Sequence, residues 1–123
     1  MNNYTELINA AKKAKENSYS PYSNFKVGAA VLSKSGKIYL GTNYENASFS
    51  ATVCAERNAL GAAIANGERD FKAIAICGDK KAFPCGICLQ SLIEFGEMDV
   101  IIVSEEPEIY KLSSLLPNAF KEF

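Results

Sequence analysis

Two short strings, Cys54-Ala-Glu-Arg57 and Pro84-Cys-Gly-Ile-Cys88, place three thiols and one carboxylate in a chain without a histidine. Zinc takes four protein ligands in structural sites, whereas catalytic sites keep one position for water or substrate. Alone, Cys85 and Cys88 read as a redox pair, half of a structural zinc site or a coincidence. Cys54 shifts the balance toward a catalytic zinc site. The remaining thiol, Cys77, falls in an apolar stretch and reads as an inert buried cysteine, so no fourth protein ligand is evident. Glu56 is then free to move protons. Without imidazole, a group that accepts and donates protons near neutral pH must be a carboxylate, lysine, tyrosine or thiol of shifted pKa, and Glu56 is the best placed.

Each cysteine group falls where a helix is predicted to start. One helix spans about Thr52 to Asn66, with Thr52 as cap and Gly67 as stop signal; the other runs from Cys85 to Phe95, directly after Pro84. Unpaired amide N–H groups and the positive end of a helix dipole stabilise thiolates, the form that binds zinc. Cys85 and Cys88, three apart, share a helix face. Cys54 and Glu56, two apart, diverge by about 200° around a helix, so they converge only on a site ahead of its end. Two helix starts meeting at one metal is the expected architecture. Three thiolates leave the metal centre negatively charged, and Arg57 is placed to offset this by donating hydrogen bonds to sulfur.

The elements that carry these helix starts are readable from periodicity. Tyr4 to Asn17 puts Leu7, Ile8, Ala11 and Ala14 on one stripe, the spacing of an amphipathic helix. Lys26 to Ser33 and Lys37 to Thr42 read as strands of a hairpin turning at Lys34-Ser-Gly36. Asn43 to Ser50 reads as a polar loop. Small residues at Ala59, Gly61, Ala62, Ala63 and Ala65 suit a closely packed helix. Lys72 to Gly78 and Asp99 to Ser104 are strands apolar on both faces, and their alternation with helices implies a sheet with parallel pairs between helical layers. Glu108 to Phe123 is only weakly readable.

At 123 residues the chain fits a single domain, 1–123. Thirteen Lys and Arg against fourteen Asp and Glu leave no basic excess for nucleic-acid phosphates, so a small-molecule partner is preferred. The N-terminal residues lack the basic start and apolar run of a secretory signal, and no stretch reaches transmembrane length. A cytoplasmic setting, without membrane association, is expected. In that reducing compartment these cysteines point to metal or redox chemistry more than to crosslinks.

The two strings together resemble the zinc nucleoside deaminases, specifically the small cytidine deaminase family. The resemblance extends through Tyr19-Ser-Pro-Tyr-Ser-Asn-Phe-Lys-Val-Gly-Ala-Ala30, Gly41-Thr-Asn-Tyr-Glu-Asn-Ala-Ser48 and Leu115-Leu-Pro-Asn-Ala-Phe120. It implies an α/β fold: a three-layer α/β/α sandwich with a mixed, roughly five-stranded sheet. It also implies Cys54, Cys85 and Cys88 as ligands of one zinc ion per subunit. Glu56 would carry protons from activated water to the cytosine ring nitrogen and the departing amine. The implied reaction is hydrolytic deamination of cytidine and deoxycytidine, releasing ammonia, in pyrimidine salvage. By the same resemblance Asn43 and Glu45 hold the ribose hydroxyls, Phe25 lines the pyrimidine pocket, and Phe120 caps a neighbour's pocket in a homotetramer with shared active sites. Two positions depart from the family pattern: Leu89 stands where an arginine is usual, leaving Arg57 alone beside the thiolates, and Phe49 stands where a tyrosine is common.

Three other readings compete: a deaminase of another aminopyrimidine nucleoside, a noncatalytic zinc or nucleoside-binding relative, and a thiol oxidoreductase built on Cys85 and Cys88. The last predicts a reversible disulfide and no stoichiometric zinc. Editing of polynucleotides is disfavoured by the lack of a basic track.

Overall fold

Alternation along the central strands decides the architecture. In β1 (Val27–Ser33) and β3 (Phe71–Gly78), successive side chains point to opposite faces, and both faces are apolar. Ala29, Val31, Ile74 and Ile76 enter one core, while Ala30, Ala73, Ala75 and Cys77 enter the other. A sheet apolar on both sides needs a helical layer on each. The computed structural model describes residues 4–121. Among these, five strands form one sheet of order β2-β1-β3-β4-β5, with β2 at Ile38–Thr42, β4 at Asp99–Ile102 and β5 at Glu108–Lys111. The β3–β4 pair is parallel and the other pairs are antiparallel, so the sheet is mixed.

Helix α1 (Thr5–Lys15) covers one face through Leu7 and Ala11. Helices α2 (Ala55–Ala65), α3 (Gly86–Ile93) and the short α4 (Leu112–Leu115) supply the other core with Ala59, Ala63, Leu89, Leu92 and Leu112. The result is the expected three-layer α/β/α arrangement. The hairpin turns where the sequence places it, with Gly36 at φ 94° and its N–H donating to the Ser33 carbonyl at 2.9 Å. That backbone conformation favours glycine.

Two glycines set how closely the helices approach. A Cβ on Gly28 would lie 2.2 Å from the Lys15 backbone nitrogen, and one on Gly41 would lie 2.2 Å from that of Ala59. The backbone of α2 therefore rests directly on β2, which fixes the position of the helix that carries Cys54 at its start. Of the small residues in α2, Ala59 and Ala63 face the sheet, whereas Gly61 and Ala65 are exposed.

The start of α2 differs from the sequence expectation. Phe49–Ala51 forms a turn of 3-10 helix, and Thr52 is extended at φ −61°, ψ 137°; its hydroxyl accepts the Asn46 N–H at 3.2 Å. The helix begins three residues later, with Cys54 in the capping position. The tail supplies two further elements, β5 and α4.

Candidate metal centre and active site

Cys54 and Cys85 occupy equivalent positions on different helices. Each is the capping residue, extended at φ −72°, ψ 153° and φ −74°, ψ 170° respectively. Their carbonyls accept the first helical hydrogen bonds, from Asn58 N–H at 3.0 Å and Leu89 N–H at 2.9 Å. Neither thiol caps its own helix. Instead the sulfurs meet between the two helix starts, with Cys88 joining from one turn into α3. Cys54 Sγ is 4.0 Å from Cys85 Sγ, which is 3.6 Å from Cys88 Sγ, and all three lie within 4.8 Å of one another.

This spacing fits zinc. Zn–S bonds of about 2.3 Å at tetrahedral angles separate two sulfurs by roughly 3.8 Å, which brackets closely with the two short separations here. The thiols are free rather than disulfide-bonded, and among the described residues they are the one group of metal-ligating side chains so arranged. Cys77 lies on the opposite, α1-facing side of the sheet, buried in that core.

The surroundings favour negative charge on Cys54. The Cys54 thiol is drawn down to about 5, first by hydrogen bonding from Cys88 and then, against burial, by Arg57 and Cys85. The Cys88 thiol moves up for the converse reasons, its hydrogen bond to Cys54 and its burial. Arg57 Nη2 reaches Cys54 Sγ at 3.8 Å and the Thr52 carbonyl at 3.4 Å. That contact raises the Arg57 pKa still further, so its charge is permanent. Leu89, where the family pattern has arginine, is buried in the core and offers no charge.

Glu56 sits in the first turn of α2 and is 5% exposed. Burial pushes its carboxyl up to about 7; its own backbone N–H opposes this, the Cys54 charge adds to it and Arg57 opposes it. A carboxyl poised near neutrality both gives and takes a proton. A divalent cation beside it acts in the lowering direction.

The remaining sequence-derived candidates fall on the neighbouring loops. Asn43 is buried; its Oδ1 accepts from Ser18 Oγ and from Val27 N–H at 3.1 Å, while Nδ2 donates to the Phe25 carbonyl at 3.0 Å. This amide ties three segments together and still has one N–H to offer. Glu45 accepts from the N–H groups of Tyr22 and Ser23, at 2.9 and 3.0 Å, and from Ser23 Oγ. These bonds, Ser23 first, hold its pKa below the ordinary carboxylate range. It lines a cavity of about 340 Å³ with Tyr22, Ser23, Phe49 and Thr52. Sequence reasoning gave no signal for these four as lining residues, because chain reversals rather than periodicity bring them together. Phe25 is half-buried against Gly78 at the end of β3. The Phe120 side is 63% exposed, and its backbone is held by Gln90 of α3, whose Nε2 donates to the Phe120 carbonyl at 2.6 Å and whose Oε1 accepts its N–H at 3.2 Å.

Comparison with known proteins agrees with this geometry. Residues 1–104 match the family model described as the cytidine and deoxycytidylate deaminase zinc-binding region. The cytidine deaminase of Sporosarcina psychrophila is 44% identical over 123 residues, spanning 95% of this chain and 90% of that protein. That of Halalkalibacterium halodurans is 45% identical over 120 residues, spanning 93% and 91%. The crystal structure of cytidine deaminase from Burkholderia pseudomallei superposes with a TM-score of 0.91 at 43% identity, covering 97% of this chain and all of that one. Three thiols gathered at two helix starts, beside a buried glutamate, thus occur in a chain that belongs to the zinc-binding cytidine and deoxycytidylate deaminase family.

Proposed function

We propose that this chain hydrolytically deaminates cytidine and deoxycytidine to uridine and deoxyuridine, with residues 1–123 forming one catalytic domain. The observation that carries the reading is the conjunction of a three-sulfur cluster with a buried glutamate two residues from one of the sulfurs. Cys54, Cys85 and Cys88 hold the zinc, which when bound supplies Lewis acidity that lowers the pKa of water. Glu56 takes a proton from the attacking water and delivers it to the pyrimidine ring nitrogen as the water oxygen bonds to the amine-bearing carbon; it then carries the remaining water proton to the amine, so that the C–N bond breaks, ammonia leaves and the added oxygen stays as the carbonyl. Its burial excludes competing water and raises its affinity for protons, a shift that bound zinc opposes. Arg57 withdraws charge from the Cys54 sulfur through the Nη2 contact.

Substrate holding falls to complementary polar groups. The spare N–H of Asn43 donates to a ribose hydroxyl. Glu45, whose two oxygens already accept three hydrogen bonds, has one acceptor site left for another. Phe25 covers the pyrimidine face. Glu45 also lines the cavity of about 340 Å³, a size within the roughly 300–1,000 Å³ usual for small-molecule sites. Ribose recognition favours an intact nucleoside over a free base.

The aromatic side chains Tyr19, Tyr22, Tyr44, Phe49 and Phe120 are 45–75% exposed. Such surface favours assembly, and we take the active form to be a homotetramer in which Phe120 caps a neighbour's pocket. Pyrimidine salvage in the cytoplasm is the setting this activity suits. Among the described residues no helix is long and apolar enough to cross a membrane.

The test is ammonia release from cytidine, deoxycytidine, cytosine and modified aminopyrimidine nucleosides, with sedimentation analysis of the same sample. Turnover of both ordinary nucleosides by a tetramer is expected. Turnover confined to a modified nucleoside would replace the substrate assignment, and zinc-bound protein inert toward all of them would make it a binding protein.

A further inference from the structure

Between β3 and α3 the chain passes through residues 79–84 and delivers Cys85 to the metal centre. The segment is tied at its start: Asp79 N–H donates to the Lys26 carbonyl at 3.0 Å, Lys26 N–H donates to Asp79 Oδ2 at 2.7 Å, and Lys15 Nζ pairs with Asp79 Oδ1 at 2.9 Å. Pro84 is buried at its end. In between, two side chains reach across to the edge strand β5. Lys81 Nζ lies 2.6 Å from Glu108 Oε1, and the Phe83 ring meets Tyr110 edge-on with centroids 5.4 Å apart.

These four groups close a circuit. Tyr110 OH donates to the same Glu108 Oε1 at 2.6 Å, and Lys81 Nζ stands 5.6 Å from the Phe83 ring centroid. Glu108 and Tyr110 are two apart on β5 and share a face. They pair in register with Ile102 and Val100, whose side chains enter the core under α2 and α3, so the circuit lies on the side of the sheet that bears the metal centre.

We propose that this circuit is a latch by which β5 positions Cys85 for zinc, making Glu108 and Tyr110 positioning residues for a ligand that neither touches. The proposal rests on reading Cys85 as a zinc ligand. The three sulfurs are restrained unequally. Cys88 is buried in α3, and Cys54 is held by Arg57, but Cys85 is exposed at the junction of loop and helix. Its backbone is held on one side by the start of α3, where its carbonyl accepts from Leu89 N–H, and on the other by the segment that precedes it, with Phe83 two residues away. Restricting that backbone lowers the conformational freedom gained when Cys85 leaves the metal. The ligand with least packing of its own is the first to leave, so the latch governs how fast zinc escapes. Neither the exposed ion pair nor the ring pair is strong alone, but each limits the motion that would break the other.

Zinc release from the loaded protein into excess chromogenic chelator tests this directly. Phe83→Ala and Tyr110→Ala should each accelerate release about three- to tenfold, with the double variant no faster than the faster single one, the sign of one shared contact. Lys81→Met, a change at an exposed side chain that leaves the core intact, should accelerate it roughly two- to threefold. Glu68→Gln, in a hydrogen-bond cluster outside the circuit, should release zinc at the parent rate, which separates positioning from general loss of stability. Zinc-loaded Phe83→Ala and Lys81→Met that both release at the parent rate would overturn the latch alone. Equal acceleration by Glu68→Gln would also overturn it. A parent protein that binds no zinc would overturn the ligand reading, and the latch with it.

Discussion

The Arg57 guanidinium and the Cys54 sulfur, three residues apart at the start of α2, are joined by a 3.8 Å contact from Nη2, while the Arg57 Nε is buried without a hydrogen-bond partner among the described residues. Burying a guanidinium donor without a partner is costly, and the negative charge favoured on the neighbouring Cys54 sulfur offsets that cost. With Leu89 apolar and in the core, the neutralising task rests on one residue. Arg57→Gln should therefore keep its zinc but lose about 10- to 100-fold in kcat/KM for cytidine. Unchanged kcat/KM in a zinc-loaded variant would remove Arg57 from the account.

Gly41 governs the approach of α2 to the sheet. A Cβ there would lie 2.2 Å from the Ala59 nitrogen and 2.4 Å from the Ala55 carbonyl oxygen, both backbone atoms that cannot rotate away. Gly41→Ala should destabilise the fold by about 1–3 kcal/mol or more, read from urea unfolding. Because the displaced helix carries Cys54, zinc content should fall as well. Gly36→Ala is the contrasting variant: no atom lies within 4 Å of its added Cβ, and its cost comes only from the left-handed backbone. Full zinc content in Gly41→Ala would contradict the link between helix placement and the metal centre.

Much of this fold is legible in the sequence. A period-3.6 stripe marks α1, the glycine turn marks the hairpin, and continuous apolar runs mark β3 and β4, because each of these elements buries enough apolar surface to dominate local preferences. The sequence points to Thr52 as the start of α2 because threonine is a good cap and cysteine is not; the structure caps the helix with Cys54, where the sulfur cluster rather than capping chemistry explains a thiol. β5 is only weakly readable because an edge strand of alternating half-buried and exposed residues behind Pro107 carries little hydrophobic signal. Residue type and spacing single out the three sulfurs, which the structure gathers together, and Glu56, which it buries. The contacts of Asn43 and Glu45 and the cavity lined by Tyr22, Ser23, Phe49 and Thr52 leave no such pattern, since they arise from segments distant in sequence.

Glu68 gives the protein an acid-sensitive fastening. Its carboxylate accepts from Ser33 Oγ at 2.5 Å, Ser35 Oγ at 2.8 Å and Tyr39 OH at 2.8 Å, clamping the hairpin to the chain after α2. These bonds, Ser33 first, hold its pKa below the ordinary value. A carboxyl with a depressed folded-state pKa adds stability that is fully present above the unfolded pKa and is lost as pH falls through the folded one. Thermal unfolding followed from pH 7 down to pH 3 should show a steeper fall in Tm for the parent than for Glu68→Gln, with the difference concentrated below about pH 4.5. Parallel Tm curves would show that the cluster contributes nothing through this carboxylate.

Zinc content and ammonia release from cytidine, measured on one preparation each of the parent and Glu56→Gln, test the central claim most directly. Glutamine preserves the volume of this buried side chain but cannot carry a proton between donor and acceptor. The parent should hold about one zinc per chain and release ammonia; the variant should hold the same zinc and turn over at least about 10²- to 10⁴-fold more slowly. A zinc-free parent with full activity, or a zinc-loaded Glu56→Gln that deaminates at the parent rate, would contradict it.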